Sequence, residues 1–239
     1  MKFWDLFQST DNIQLDKKTL VTLRWIAIAG QFITINFVYF ILNFSFPFFY
    51  CCFTIFLGIL TNCFLQFRFK KNLLNNFNST IYLAYDLMQL AVLVFFTGGI
   101  TNPFVILLVI PAVVSSTFLS LRSTFNLSFI TAISLLILTV YYFPLPSKGD
   151  LHFHVPEYYL NGIPVSIIIG LMFLCYFGAR FGFASRKRTE ALNKLELVLA
   201  KEHELKTIGV QAAAAAHSLS TPLSTIKLVS KELEKEMGQ

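Results

Sequence analysis

Ile163-Pro164-Val165-Ser166-Ile167-Ile168-Ile169-Gly170-Leu171-Met172-Phe173-Leu174-Cys175-Tyr176-Phe177-Gly178-Ala179-Arg180-Phe181-Gly182-Phe183 contains one charge, and Arg186, Lys187 and Arg188 follow almost at once. A run of about 18 or more apolar residues is long enough to cross the hydrocarbon core as a helix. A basic cluster at its end marks the side facing the cytoplasm. Arg180 lies near that end and can snorkel to the interface. The stretch therefore reads as a membrane helix leaving the bilayer into water. Composition extends the reading to the whole chain: 55% of residues are hydrophobic and 13% charged, against roughly half and a quarter in soluble domains.

Six segments meet or approach the spanning criterion, at about 21–42, 46–67, 81–96, 103–121, 125–143 and 163–183. Their apolar runs are too long and too unalternating for a barrel, so the fold class is all-α, a six-transmembrane helical bundle. Lys17 and Lys18, then Arg68, Lys70 and Lys71, then Arg122, then Arg186 to Arg188 all fall on one side if every segment spans. That side is cytoplasmic by the positive-inside rule, as are both termini. The net charge of +6 is then a matter of topology and anionic lipid, with no nucleic-acid partner implied. Residues 1–20 read as a cytoplasmic leader with Phe3, Trp4 and Phe7 at the interface, and 21–184 as the six-span membrane domain.

The four cysteines, Cys51, Cys52, Cys63 and Cys175, lie in apolar spans without metal-ligand spacing and read as small buried hydrophobes. His152, His154 and Glu157 in the loop before the last span are suitable ligand types, but their spacing arises readily in loops, so no metal is expected. Asp86 and Gln89 lie one turn apart inside the third span. An intramembrane carboxylate is costly and faces the bundle interior. A ligand contact and a structural bond to a neighbouring helix both fit it.

At Ser185 the texture changes. Ala191, Leu195, Val198, Glu202, Leu205, Gly209, Ala212 and Ala216 recur at alternating steps of four and three, the seam of a parallel coiled coil. An amphipathic helix lying on the membrane is the alternative. The seam leads into Gln211, five alanines from Ala212 to Ala216, then His217-Ser218-Leu219-Ser220-Thr221-Pro222. Alanine favours helix and leaves the imidazole uncrowded. Pro222 is expected to bend the axis, and Thr221 shares the face of His217. Residues 185–239 thus form a cytoplasmic coiled-coil linker and dimerisation helix, and Leu223, Ile226, Val229 and Leu233 continue an apolar stripe.

His217 to Pro222 resembles the phosphoacceptor box of sensor histidine kinases: His, an acidic residue, two variable residues, Thr or Asn, then Pro. The alanine run makes it similar to the redox-sensing RegB type. A second motif stands between the third and fourth spans: Gly98-Gly99-Ile100-Thr101-Asn102-Pro103-Phe104. As residues, the two glycines free the backbone, Asn102 both donates and accepts, and Pro103 starts a helix. A tight helical turn needs the same residues. The pattern Gly-Gly-x-x-Asn-Pro-Phe also resembles the quinone-responsive loop of RegB-type sensors, and the two motifs occur in family order.

The resemblance implies a two-component membrane kinase in the bacterial inner membrane. His217 would be the phosphoacceptor and Thr221 would position the water for dephosphorylation. Ser218 stands where the family has its acidic residue, a weak substitute for a general base. Ubiquinone from the membrane pool would be sensed by Gly98, Gly99, Thr101, Asn102, Pro103 and Phe104, with Asp86 a further contact. The partners implied are a second copy of the chain and a response regulator. The resemblance also implies a redox-active cysteine after the histidine box, and none follows His217 here. ATP and Mg would act through a kinase domain for which the residues after Pro222 leave no room, so the sequence reads as the first part of such a kinase and the chain alone as inactive. A non-enzymatic quinone-sensing module phosphorylated in trans is the alternative. A small carrier would show paired half-helices or inverted repeats, and neither is visible.

Overall fold

A computed structural model describes residues 15–68, 73–144 and 155–237. The leader aromatics, Lys70, Lys71, His152 and His154 lie outside the described residues. The first helix, α1 (Lys17–Asn36), continues as a π-helical turn over Phe37–Ile41. It is followed by α2 (Phe48–Arg68), α3 (Asn76–Phe96), α4 (Ile110–Phe118), α5 (Leu121–Val140) and α6 (Glu157–Met237). A two-residue antiparallel pairing, β1 (Leu15–Asp16) with β2 (Leu73–Leu74), ties the start of α1 to the start of α3.

The fold is an all-α membrane bundle. Among the described residues, five helices are long and apolar enough to cross a membrane. The remaining expected span is built differently: Pro103–Val109 is a 3-10 helix of seven residues, and the nine residues of α4 follow it. Pro111 explains the break, because it has no N–H for the carbonyl of Leu107, which Ile110 takes in an i→i+3 bond instead. At rises of about 2.0 and 1.5 Å per residue the two parts together reach roughly 27 Å, close to a hydrocarbon core of about 30 Å. The tighter winding lets a short segment reach as far as a longer α-helix.

Lys17 donates to the Gln66 carbonyl (2.8 Å) and Thr80 to Ser123 (2.8 Å), so the starts of α1, α3 and α5 and the end of α2 share one end of the bundle. At the other end the Phe143 N–H donates to the Phe95 carbonyl (3.0 Å), placing the end of α5 beside the turn after α3. The basic residues Lys17 and Arg122 thus share an end, as the charge pattern anticipates. The core is apolar, centred on buried Leu65, Leu87, Leu108, Leu127 and Leu135. Hydroxyls knit the helices where they meet: Ser115 with Thr124 (3.2 Å), and Thr131 with the Leu108 carbonyl (3.5 Å). Gly178 of α6 lies so close to α4 that a Cβ would strike the Ser116 hydroxyl. Small residues at such crossings are how lipid-embedded helices approach.

The chain divides into two compact units between Ala184 and Ser185. The second is helical to Met237, and apart from half-buried Arg186 every residue whose side chain is described is exposed. The bend anticipated at Pro222 does not interrupt this helix. Proline costs one backbone bond, to the Ser218 carbonyl, and the winding begun in the strongly helix-forming run Ala212 to Ala216 continues past it. Glu190 pairs with Lys194 (2.7 Å) and Glu202 with Lys206 (2.8 Å) along the surface. Lys194 holds the Glu190 carboxyl below its ordinary range.

Candidate functional site

The turn after α3 is assembled from its own side chains. Gly98 and Gly99 have φ of 112° and 56°, the left-handed region closed to most side chains, and a Cβ on Gly99 would strike Tyr142. The Asn102 carboxamide oxygen accepts from the Phe104 N–H (2.8 Å) and caps the 3-10 helix, while its nitrogen donates to the carbonyl (3.0 Å) and hydroxyl (2.6 Å) of Thr97. Thr101 donates its hydroxyl to the Gly98 carbonyl (2.6 Å). Asn102 is buried, whereas Pro103 and Phe104 are exposed. The amide foreseen as a ligand donor is therefore engaged in shaping the turn.

A cavity of about 710 Å³ runs between α1, α3 and the broken fourth span. It reaches from Leu20, Arg24 and Asp86 to Phe46, Asn102, Pro103 and Phe104, and nearly all its walls are aliphatic or aromatic. The exceptions cluster on facing helices. Arg24 of α1, 3% exposed, donates from Nε to Asp86 of α3 (2.8 Å) and from Nη2 to the Thr61 hydroxyl of α2 (2.9 Å). Its guanidinium lies 5.4 and 5.7 Å from the ring centroids of Tyr82 and Tyr85. One turn further along α3, Gln89 donates to Gln31 of α1 (3.2 Å) and packs over Gly58, where any Cβ would collide with its amide.

Arg24 was not singled out by sequence reading, because an arginine near Lys17 and Lys18 reads as one more charge of the basic end. The signal that finds it is its place seven residues into a helix whose partner span carries Asp86: two opposite charges inside the membrane must seek each other. The cavity joins Asp86 to Asn102, Pro103 and Phe104. It does not include Gly98, Gly99 or Thr101.

In the second unit His217 and Thr221 lie one turn apart on one exposed face. Ser218 donates its hydroxyl to the Ala215 carbonyl (2.9 Å), a bond within its own helix, which uses its one proton away from the imidazole. The cysteines are free thiols within the spans. Glu157 opens α6, where a carboxylate complements the helix dipole.

Residues 39–196 match the family model for the PilS-like transmembrane domain. The chain belongs to that family. This PilS-like domain is also similar to two curated proteins, both the sensor histidine kinase RegB of Cereibacter sphaeroides, one from a named strain of that species. The first is 37% identical over 93% of this chain and 48% of its own length. The second is 38% identical with the same coverage. The chain spans about half the length of the curated relatives it matches. No solved structure matches it. The PilS-like match begins inside the π-helical turn that extends α1 and ends beyond Ser185, so it takes in most of the cavity-forming helices but not Arg24.

Proposed function

We propose that this chain is the membrane-sensing and phosphoacceptor part of a two-component sensor histidine kinase of the bacterial inner membrane, responding to the redox state of the quinone pool. The observation that carries it is the pairing of two features. One is an elongated apolar cavity with a few convergent polar groups, the usual form of a site for an amphipathic small molecule. The other is an exposed histidine on an alanine-rich helix, in a chain similar over 93% of its length to a sensor histidine kinase.

An isoprenoid quinone suits the cavity because its tail needs an apolar channel and its ring a small number of hydrogen bonds. The ring carbonyls accept, the hydroquinone hydroxyls donate, and the cavity has groups of both kinds. Both termini lie in the cytoplasm on this reading, since the basic residues gather at the end of the bundle from which α1 starts. His217 then meets the ATP held by a kinase domain outside residues 1–239. A ring nitrogen attacks the γ-phosphorus as the bond to the ADP oxygen breaks, and the other ring nitrogen gives up its proton. The phosphoryl group passes to a response regulator. A second copy of the chain pairs along Ala191, Leu195, Val198 and Leu205, which are exposed in the single chain.

The test is to supply a histidine kinase catalytic domain fused after residue 239, reconstitute the protein in vesicles, and follow radiolabel from ATP. Label on the wild type that responds to ubiquinone and is lost in His217→Gln supports the reading. Equal labelling of His217→Gln overturns the phosphoacceptor, and labelling indifferent to quinone redox state overturns the sensing.

A further inference from the structure

The cavity holds two facing sets of polar groups, and their chemistry is not the same. On α3, Asp86 receives Arg24 on one oxygen at 2.8 Å, and its second oxygen has no hydrogen-bond partner among the described residues. Asp86 is 23% exposed in the wall it shares with the cavity. Arg24 is buried, bound to Asp86 and Thr61 near Tyr82 and Tyr85, and so orients the carboxylate, while its Nη1 is buried without a hydrogen-bond partner among the described residues. On α1, Gln31 accepts the amide of Gln89, which leaves its own amide N–H groups for another acceptor. The free carboxylate oxygen of Asp86 on α3 can only accept and the free amide N–H groups of Gln31 on α1 can donate, and Gln89 and Thr34 line the same apolar cavity beside them.

We propose, building on the quinone reading above, that the ligand's ring lodges at this mid-bundle subsite between Asp86 and Gln31, separate from the glycine turn. An ionised carboxylate can only accept a hydrogen bond, and an amide N–H can only donate one. A hydroquinone hydroxyl donates to Asp86 on α3. A quinone carbonyl cannot, and takes the amide proton of Gln31 on α1 instead. Reduction of the ligand elsewhere in the membrane therefore moves its anchor from one helix to the other, and no electron needs to pass through the protein. A change of helix, with the site occupied by the quinone or the quinol exchanged from the membrane, provides the differential interaction that a sensor needs in order to bias two conformations. Arg24 is a positioning residue here. It holds the acceptor oxygen toward the cavity and supplies the counter-charge of the carboxylate.

The full chain in lipid nanodiscs, titrated separately with ubiquinone-1 and ubiquinol-1, tests the subsite. Asp86→Asn replaces an acceptor by a group that also donates, so it should weaken ubiquinol-1 and leave or improve ubiquinone-1. Gln31→Leu removes the donor, together with the acceptor of the Gln89 amide, and should weaken ubiquinone-1 while ubiquinol-1 keeps its bond to Asp86. Each ratio of the two affinities should move about tenfold, in opposite directions, as expected for one lost hydrogen bond to a charged or buried partner. Because Asp86→Asn leaves Arg24 uncompensated, the paired variant Arg24→Gln with Asp86→Asn is measured beside it and should show the same ratio change in a stably folded protein. Opposite shifts cannot come from general loosening of the bundle. Ratios unchanged in both variants, with wild-type binding intact, overturn the subsite and leave the quinone reading standing. If the wild type takes up neither ubiquinone-1 nor ubiquinol-1, the quinone reading falls and the subsite falls with it.

Discussion

Arg24 and Asp86 illustrate what one buried ion pair demands. Truncating Arg24 to Met leaves a carboxylate in the bundle interior without its counter-charge, and losing one partner of such a pair costs about 3–5 kcal/mol. Replacing both at once, as Arg24→Met with Asp86→Leu, removes the attraction and the desolvation penalty together and should come within about 1–2 kcal/mol of the wild type. Thermal unfolding in one detergent compares the two. A double variant as unstable as the single would mean that the pair itself, rather than the stranded charge, holds α1 to α3. Gly99 makes the second residue-scale prediction. Alanine there meets both a positive φ of 56° and the Tyr142 side chain, so Gly99→Ala should lose about 1–3 kcal/mol of stability from strain alone. A melting temperature unchanged from the wild type would show that the turn can relax around the methyl group. The double glycine was legible in the sequence because few other residues tolerate such backbone angles. Asn102 was legible as a polar residue of the turn, but not its use: three bonds to Thr97 and Phe104 depend on how the chain folds back on itself.

At the scale of elements, five of the six spans could be read from apolar length, since lipid permits little else. The boundaries were less visible. Helix α3 starts at Asn76 instead of near Ile81, and Thr80 in its first turns bonds the Asn76 carbonyl (2.7 Å) and the Ser123 hydroxyl (2.8 Å), a contribution that hydropathy does not weigh. The fourth span reads in sequence as ordinary helix, and its 3-10 half is invisible there because the effect of Pro111 on the turn before it depends on which carbonyl gives way. Pro111→Ala returns an N–H to the carbonyl of Leu107 and should favour α-helical winding over residues 103–109. The variant should melt only slightly higher, by the roughly 1 kcal/mol of one regained backbone bond, because Pro111 stands in the first turn of α4, where proline is tolerated. It should also bind ubiquinone-1 more weakly, since Phe104, Leu107 and Ile110 line the cavity and would rotate away from it. Unaltered affinity would show that the wall keeps its shape without the 3-10 winding.

For the whole molecule, the division at Ala184 would, on the proposed function, put recognition and phosphoryl chemistry in different units of one chain. Deleting the second unit after residue 184 should therefore leave the affinity for ubiquinone-1 within about twofold, well under the 1.4 kcal/mol of a tenfold change. A marked loss would mean that the cavity needs the dimer. The partnership of Arg24 with Asp86 was out of reach of sequence reading at this scale, because the two residues lie 62 positions apart and their pairing is set by how three helices stack. The two units themselves were readable, since hydrophobic content falls abruptly where Arg186, Lys187 and Arg188 begin.

The seven-residue 3-10 stretch carries a consequence for the lipid around the protein. Each residue that passes from 3-10 to α winding shortens its segment by about 0.5 Å and changes the turn per residue from about 120° to 100°, so full conversion would retract the wall by roughly 3.5 Å. Bilayers of different cellular membranes differ in thickness by a similar amount, and a span that mismatches its bilayer is under a restoring force. A thin membrane then favours the short α winding and a thick one the long 3-10 winding, with Phe104 and Leu107 turned differently in each. Acyl-chain length becomes a second input to the same cavity: ubiquinone-1 affinity measured across vesicles of graded chain length should rise with thickness.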